Sequence, residues 1–187
     1  MDQRALVERA RRGDHDAFTI LLDVRLARLD AAARLILRDP ELARDAVQEA
    51  LIRAWRDLPG LRDPDRLDAW LHRLTVNACL DFVRRRKRRV IEVELSPIDM
   101  PEAADAAALL ADRQLLDEAL ARLDPGHRAV VALHYLLGMP LPDVAASLGI
   151  PVGTAKSRLH YALAAMRMSA AAEPDTAQGP VTGGQVA

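Results

Sequence analysis

The sequence has a single cysteine, Cys79, so no intramolecular disulfide can form and a reducing compartment is its expected home. Aromatic residues are scarce as well, at 3% of 187 residues. No stretch alternates apolar and polar residues as a half-buried strand requires. That leaves helix, which the abundant Ala, Leu, Arg, Asp and Glu favour. No segment reaches the ~20 apolar residues that cross a bilayer, and the opening MDQRALVERARRGD has no signal-peptide core. A cytoplasmic protein without membrane contact is expected. Neither sign of charge dominates, with 26 Lys plus Arg against 27 Asp plus Glu, so net charge says nothing about nucleic acid. Catalytic groupings are missing too. His15, His72, His127, His134 and His160 are scattered, and none stands with Cys, Asp or Glu at metal-ligand spacing. Gly149 and Gly153 form no phosphate-binding loop. The chain is expected to be no enzyme and to use no cofactor, metal or small-molecule substrate.

What is present is most distinctive from Leu141 to Met166, where two short helical patterns flank a glycine. Val144, Ala145 and Leu148 lie at helical spacing before Gly149, which can end a helix at positive φ without Cβ strain. In the second pattern Thr154 is placed as the N-cap, and Ala155, Leu159, Ala162, Leu163 and Met166 share one apolar stripe. The opposite face carries Lys156, Ser157, His160 and Tyr161, with Arg158 at its flank. Such donors on a protruding helix reach base edges and phosphates in a major groove. The arrangement is that of a helix-turn-helix, and an ordinary helical hairpin in a bundle is the alternative.

The rest of the chain divides into an all-α pair of small domains joined by a linker. Residues 1–89 form a first helical block, broken at Gly13-Asp14, at Asp39-Pro40 and across Leu58 to Pro64. It ends in Arg84 to Arg89, an unbroken basic run. Residues 90–108 are acidic, contain Pro97 and Pro101 and lack an apolar period, as expected of a flexible tether. Residues 109–168 form the second block. There Asp124-Pro125-Gly126 makes a turn, and a helix His127 to Leu137 follows. Residues 169–187 are small, polar and Gly-rich, a composition expected to be disordered.

Two helices of the first block carry divided surfaces. From Glu41 to Leu58, Ala43, Val47, Ala50, Leu51, Ala54 and Leu58 form the buried side, with Trp55 at its edge. Asp45, Glu49, Arg53 and Arg56 occupy the other side, bordered by Gln48 and Ile52. This is either a solvated face held by i,i+4 charge pairs or a protein-docking surface, since Ile52 is apolar and points away from the core. From Arg66 to about Arg86, Leu71, Leu74, Thr75, Ala78 and Phe82 point inward, while Trp70, Arg73, Asn77 and Arg84 form an outward stripe. The stripe runs into Arg85, Arg86 and Lys87. Those cations can neutralise phosphates, and Asn77 can read or hold a base. Trp70 is either a stacking group or a half-buried packing residue.

These blocks together resemble bacterial RNA polymerase sigma factors of the sigma-70 family, extracytoplasmic-function (ECF) group. The likeness is carried in order by RRGDHDAFTILLD, DPELARDAVQEALIRAWRDLP, LDAWLHRLTVNACLDFVRRRKRR and LDEALARLDPGHRAVVALHYLLGMPLPDVAASLGIPVGTAKSRLHYAL. It covers nearly the whole chain. The resemblance implies that the first block is sigma domain 2 and the second sigma domain 4. Asp45, Gln48, Glu49, Ile52 and Arg53 would then dock on the clamp helices of core RNA polymerase, and domain 4 would engage the flap region. Trp70, Arg73, Asn77, Arg84, Arg85, Arg86 and Lys87 would read and help melt the −10 element of promoter DNA. Thr154, Lys156, Ser157, Arg158, His160 and Tyr161 would serve the −35 element. An anti-sigma factor is a further partner that the family admits.

The chain departs from the family pattern in places. Tyr161, Ala164 and Ala165 stand where many members carry basic residues, so the −35 contact is less electrostatic here. Leu51 and Ile52 stand where a phenylalanine is common, which keeps the apolar character without the ring. No extra C-terminal domain is expected beyond domain 4. Two other readings stay open. A stand-alone helix-turn-helix regulator explains Leu141 to Met166 but leaves the D-x-x-Q-E face and the tether without a role. A helical adaptor that binds only protein is the other.

Overall fold

The computed structural model describes residues 2–92 and 117–171, and every regular element among them is helical. In the first half α1 (Gln3–Arg11), α2 (His15–Asp23), α3 (Leu26–Leu37), α4 (Pro40–Asp57) and α5 (Leu67–Glu92) follow one another with short connections. Local chemistry sets most of the boundaries. Asp14 accepts from Ala17 N at 2.9 Å and starts α2, after Gly13 has turned the chain at φ +91°. Asp39 accepts from the backbone N–H groups of Glu41 and Leu42, both at 3.1 Å, and Pro40 fills the first position of α4. Two 3₁₀ turns, Leu58–Gly60 and Pro64–Arg66, carry the chain from α4 to α5.

The break between α2 and α3 has neither glycine nor proline. Arg25 makes it instead. Its guanidinium donates to Leu21 O and to Gln3 Oε1, each at 2.6 Å, and pairs with Asp68 on α5. One side chain thus satisfies the end of α2 and ties α1 and α5 to it.

At 26 residues, α5 is roughly 39 Å long. It runs unbroken through the basic residues to Glu92, so the expected domain edge at 89 lies inside a helix. Leu67, Leu71, Thr75, Val76, Ala78 and Cys79 are all buried, which is more than the one-sided pattern of the sequence suggests. Burial pushes the Cys79 thiol up to about 12, so it stays protonated and unreactive.

In the second half residues 117–121 are helical, and Asp124 caps α6 (Pro125–Val131) by accepting from Gly126 N at 2.7 Å and His127 N at 3.2 Å. The helix therefore begins two residues before the expected His127. It does not run on unchanged either: residues Ala132–Leu136 widen into a π turn, with Leu137 N donating to Ala132 O at 2.9 Å. Gly138 then reverses the chain at φ +72° into α7 (Leu141–Leu148). Gly149, at φ +64°, ends α7 as expected, and α8 (Val152–Ala171) follows.

The two halves pack on each other. Ala32, Ala33 and Ile36 of α3 belong to the same buried cluster as Val130, Leu133 and Leu137 of the second half. A second cluster, among them Leu6, Val7, Leu21, Leu29, Leu58 and Leu67, belongs to the first half alone. The expected tether and tail lie largely outside the described residues.

Candidate polymerase and nucleic-acid interface

Helix α4 presents two polar surfaces of different kinds. Asp45, Gln48 and Ile52 form an exposed stripe, with Ile52 56% exposed. An isoleucine held that far into water gains nothing from folding, and its burial against a partner would return on the order of 1 kcal/mol or more. Glu49 and Arg53 sit differently. Arg53 is half-buried and donates to Glu49 at 2.9 Å and to Asp81 of α5 at 3.1 Å, while Asp81 also pairs with Arg84. The hydrogen bond that Arg53 donates to Asp81 leads the causes that raise the Arg53 pKa. Burial raises that of Asp81, but the bonds from Arg84 and Arg53 outweigh it and hold the carboxyl below its usual range. Arg53 thus locks α4 onto α5. Its expected place on the docking face corresponds to the edge of that face.

On α5 the outward stripe is less exposed than its sequence suggests. Arg73 is exposed, Asn77 is half-buried, and Trp70 is half-buried against the first-half core, the packing alternative for that residue. Trp70 and Arg73, with Arg62 and Arg66 of the preceding loop, line a cleft of about 560 Å³. The far wall of that cleft is α7, through Asp143, Ala146 and Ser147. Beyond it Arg84, Arg85, Arg86 and Lys87 are exposed. Arg85 lies 5.7 Å from the Phe82 ring centroid, a cation–π contact that lays its stem along the helix. The loop of Arg62 shows no helical period to align it with Trp70, and Arg66, expected to open the helix, lies in the 3₁₀ turn before it.

On α8, Lys156, Ser157, His160 and Tyr161 are exposed, and Ala155, Leu159 and Ala162 are buried beneath them. Thr154 does not cap the helix. α8 begins at Val152, with Ala155 N donating to Pro151 O at 3.1 Å, and Thr154 lies in its first turn. Its carbonyl accepts from Ser157 Oγ at 3.0 Å. Pro151 supplies the turn by its fixed φ, so the helix start needs no side-chain oxygen from Thr154. Arg158 is half-buried and turned back, so that a Cβ added at Gly126 would stand 3.2 Å from its Nη1. Tyr161 packs on the His127 ring at 4.8 Å between centroids, and His127 pairs with Asp124. Tyr161 is still 58% exposed, so its hydroxyl end is open to solvent.

Among the described residues no three or more His, Cys, Asp or Glu side chains are grouped to hold a metal ion. None of their helices is long and apolar enough to cross a membrane. What the surfaces offer is shape, cations and hydrogen-bond donors on rigid helices.

Comparison with known proteins agrees with this geometry. Residues 23–89 match the family model of Sigma-70 region 2, and residues 113–166 match that of Sigma-70, region 4. The chain is 36% identical over 152 residues to the ECF RNA polymerase sigma factor SigL of Mycobacterium tuberculosis, covering 80% of this chain and 86% of the relative. It is 37% identical over 138 residues to the RNA polymerase sigma-E factor of Streptomyces avermitilis, covering 73% and 75%. Among solved structures it resembles the sigma factor RpoE in complex with the anti-sigma factor NepR from Bartonella quintana. The TM-score is 0.68 at 26% identity, covering 83% of this chain and 98% of that one. CnrH in complex with the cytosolic domain of CnrY gives 0.64 at 29% identity, covering 92% and 99%. The chain belongs to the sigma-70 family of RNA polymerase sigma factors, in its ECF group.

Proposed function

We propose that this chain binds core RNA polymerase through the outer stripe of α4 and directs it to promoters by reading the −10 element with α5 and the −35 element with α8. The supporting observation is that both matched regions keep an exposed helix face over a buried apolar one: Asp45 and Gln48 with the exposed apolar Ile52 on α4, Lys156, Ser157, His160 and Tyr161 on α8. Trp70, Arg73 and Asn77, continued by Arg84, Arg85, Arg86 and Lys87, form the −10 surface, with Arg84 shared between DNA and Asp81. Thr154 in the first turn of α8 and Ser157 in the second support the −35 surface, and Arg158 does so from its flank. Glu49 and Arg53 hold the docking face in register.

Domain 2 extends over residues 1–89 and on to Glu92 along α5, residues 90–108 include the linker, and 109–168 form domain 4, whose last helix α8 runs on to Ala171, so the expected tail start at 169 lies inside a helix. The chain carries no catalysis of its own, and the bond-forming chemistry belongs to the polymerase. It acts in the cytoplasm, where polymerase and promoter are. Two structural relatives were solved with an anti-sigma factor or the cytosolic domain of a partner, and an anti-sigma factor is proposed as a partner here too.

The test is reconstituted transcription. Core polymerase plus this chain should initiate at a subset of genomic promoters, and sequencing the 5′ ends should reveal paired −10 and −35 motifs. No chain-dependent transcript would sink the reading. Tight operator binding by the isolated protein, with no effect of polymerase, would replace it with the stand-alone regulator.

A further inference from the structure

The cations of this chain are almost all arginine. Of 26 Lys and Arg residues two are lysine, Lys87 and Lys156, and each lies on one of the surfaces proposed to face DNA. The distinction is chemical. An arginine guanidinium stays charged, whereas a lysine amine can be capped by an acyl group and lose its charge.

The two lysines do not weigh the same. Lys87 stands inside the run Arg84 to Arg89, so the arginines around it keep that surface cationic whatever happens to its amine. On α8 the exposed face carries Lys156, Ser157, His160 and Tyr161, and Lys156 is the one Lys or Arg of that set. No neighbour can take over. Arg158 is half-buried and turned back toward Gly126, and Arg128 is buried, with Nε donating to Ile36 O at 2.7 Å and Nη1 to Leu123 O at 2.6 Å. Arg167, also exposed on α8, lies roughly 16 Å further along the helix.

Access and proton transfer are both provided at this amine. Lys156 is exposed, and α8 contains no Asp or Glu to hold it in an ion pair. His160, exposed as well, follows it at i+4, a spacing that sets Cβ atoms ~5–6 Å apart on a helix surface. Its imidazole can accept the proton that the ammonium must lose before it attacks. We propose that Lys156 is an acylation site, where an acyl phosphate or acyl thioester transfers its acyl group to the amine and thereby weakens −35 reading by α8. The inference rests on the −35 role proposed above. In the transfer His160 takes the first proton and passes it to water, the nitrogen lone pair forms a C–N bond to the acyl carbon, and the bond from that carbon to the phosphate oxygen or the thioester sulfur breaks. The leaving group carries off the second proton. The amide left on Lys156 is neutral, so its phosphate contact is lost.

Acetylation of the full chain, completed before core polymerase is added, tests it. Lys87→Arg retains the charge there and leaves Lys156 as the one ε-amine. Acetyl phosphate and acetyl-coenzyme A are applied separately, and peptide mass spectrometry locates the acetyl group. The donor that modifies Lys156 identifies the source, and modification by neither overturns the proposal. In holoenzyme the acetylated Lys87→Arg chain should bind promoter about fivefold more weakly than its untreated sample at ~0.15 M salt, and lose about one unit of slope in log K against log salt. A chain with both Lys87→Arg and Lys156→Arg, treated alike, should bind as its own untreated sample does, which separates Lys156 from the terminal amine.

The rate of modification gives an independent arm. With Lys87 left in place, His160→Ala should slow acetylation of Lys156 several-fold, while Lys87 in the same sample reacts as before. Equal rates at Lys156 with and without the imidazole overturn the part given to His160. Complete acetylation of Lys156 with unchanged promoter binding overturns the switch itself. An untreated holoenzyme that binds no promoter sinks the sigma-factor reading instead.

Discussion

The two halves of this molecule manage their charges in opposite ways. In the first, arginines are spent on carboxylates: Arg4 on Asp65, Arg25 on Asp68, Arg34 on Asp30, Arg53 on Glu49 and Asp81. In the second, the described residues show only the contact of His127 with Asp124, and the cation Lys156 stands unengaged on α8. Exposed ion pairs contribute little to stability, about 0–1 kcal/mol each. Their use in the first half is to fix helices in register, while a reading helix must keep its donors unspent. Where the first half is proposed to face DNA, at Arg84, the cation is already shared with Asp81, so phosphate would have to compete for it.

The comparison breaks most visibly if the halves do not share a core. Leu133→Ala and Ile36→Ala each empty a fully buried position of the common cluster, and each should destabilise the protein by about 2–5 kcal/mol. Urea unfolding followed by far-ultraviolet circular dichroism should show one transition moving in both variants. Two transitions, with Ile36→Ala moving only one, would make the halves independent bodies.

The next largest effect separates the docking stripe from the structural pair beside it. Ile52→Asp should weaken binding to core polymerase by tenfold or more, ~1.4 kcal/mol, while leaving unfolding within about 0.5 kcal/mol. Arg53→Ala should do the reverse, costing about 1 kcal/mol of stability with a smaller change in polymerase affinity. Fluorescence titration with labelled polymerase alongside thermal unfolding reads both. Equal losses of binding in the two variants would erase the distinction between Ile52 and Arg53.

Lys156→Ala sharpens the claim about unspent donors. Promoter binding by the holoenzyme, followed against salt, should lose about one unit of slope in log K against log salt. Arg84→Ala should lose less, because part of that charge is held by Asp81. A larger slope change for Arg84 than for Lys156 would reverse the assignment.

The smallest effect is an acid sensitivity confined to the first half. His72 is buried on α5, and desolvation lowers its pKa below 6.5, outweighing the opposing pull of Asp68. A histidine that titrates lower when folded binds fewer protons than in the unfolded chain, so stability falls as pH drops through 6.5 and levels off below the folded value. Unfolding midpoints between pH 7.5 and 5 should decline in the native protein and decline less in His72→Leu.

Much of this architecture was legible because it is local. Asp39-Pro40, Gly149 and the apolar stripe of α8 act within one or two turns, and the chain folds there as its sequence directs. Other features were not legible because their cause lies far along the chain. The α2–α3 break is made by Arg25 reaching Gln3 and Asp68, which no window of a dozen residues contains. Arg128 follows a Pro-Gly turn near a helix start, where an arginine ordinarily points to water, and only the end of α3 explains its burial. Trp70 reads as an outward residue on a helical wheel, yet it is half-buried against the first-half core, which distant helices supply.

The common core also sets a rule for inheritance. Paralogous specificity factors are natural candidates for exchange of halves, since each half reads its own stretch of DNA. Here a graft would bring a foreign α3 against Arg128 and Leu133, and the carbonyl of Ile36 would meet whatever side chain the donor supplies. Recombinants that carry α3 and α6 from one parent should unfold in a single transition, and those that split them should unfold in two, whatever promoters they favour.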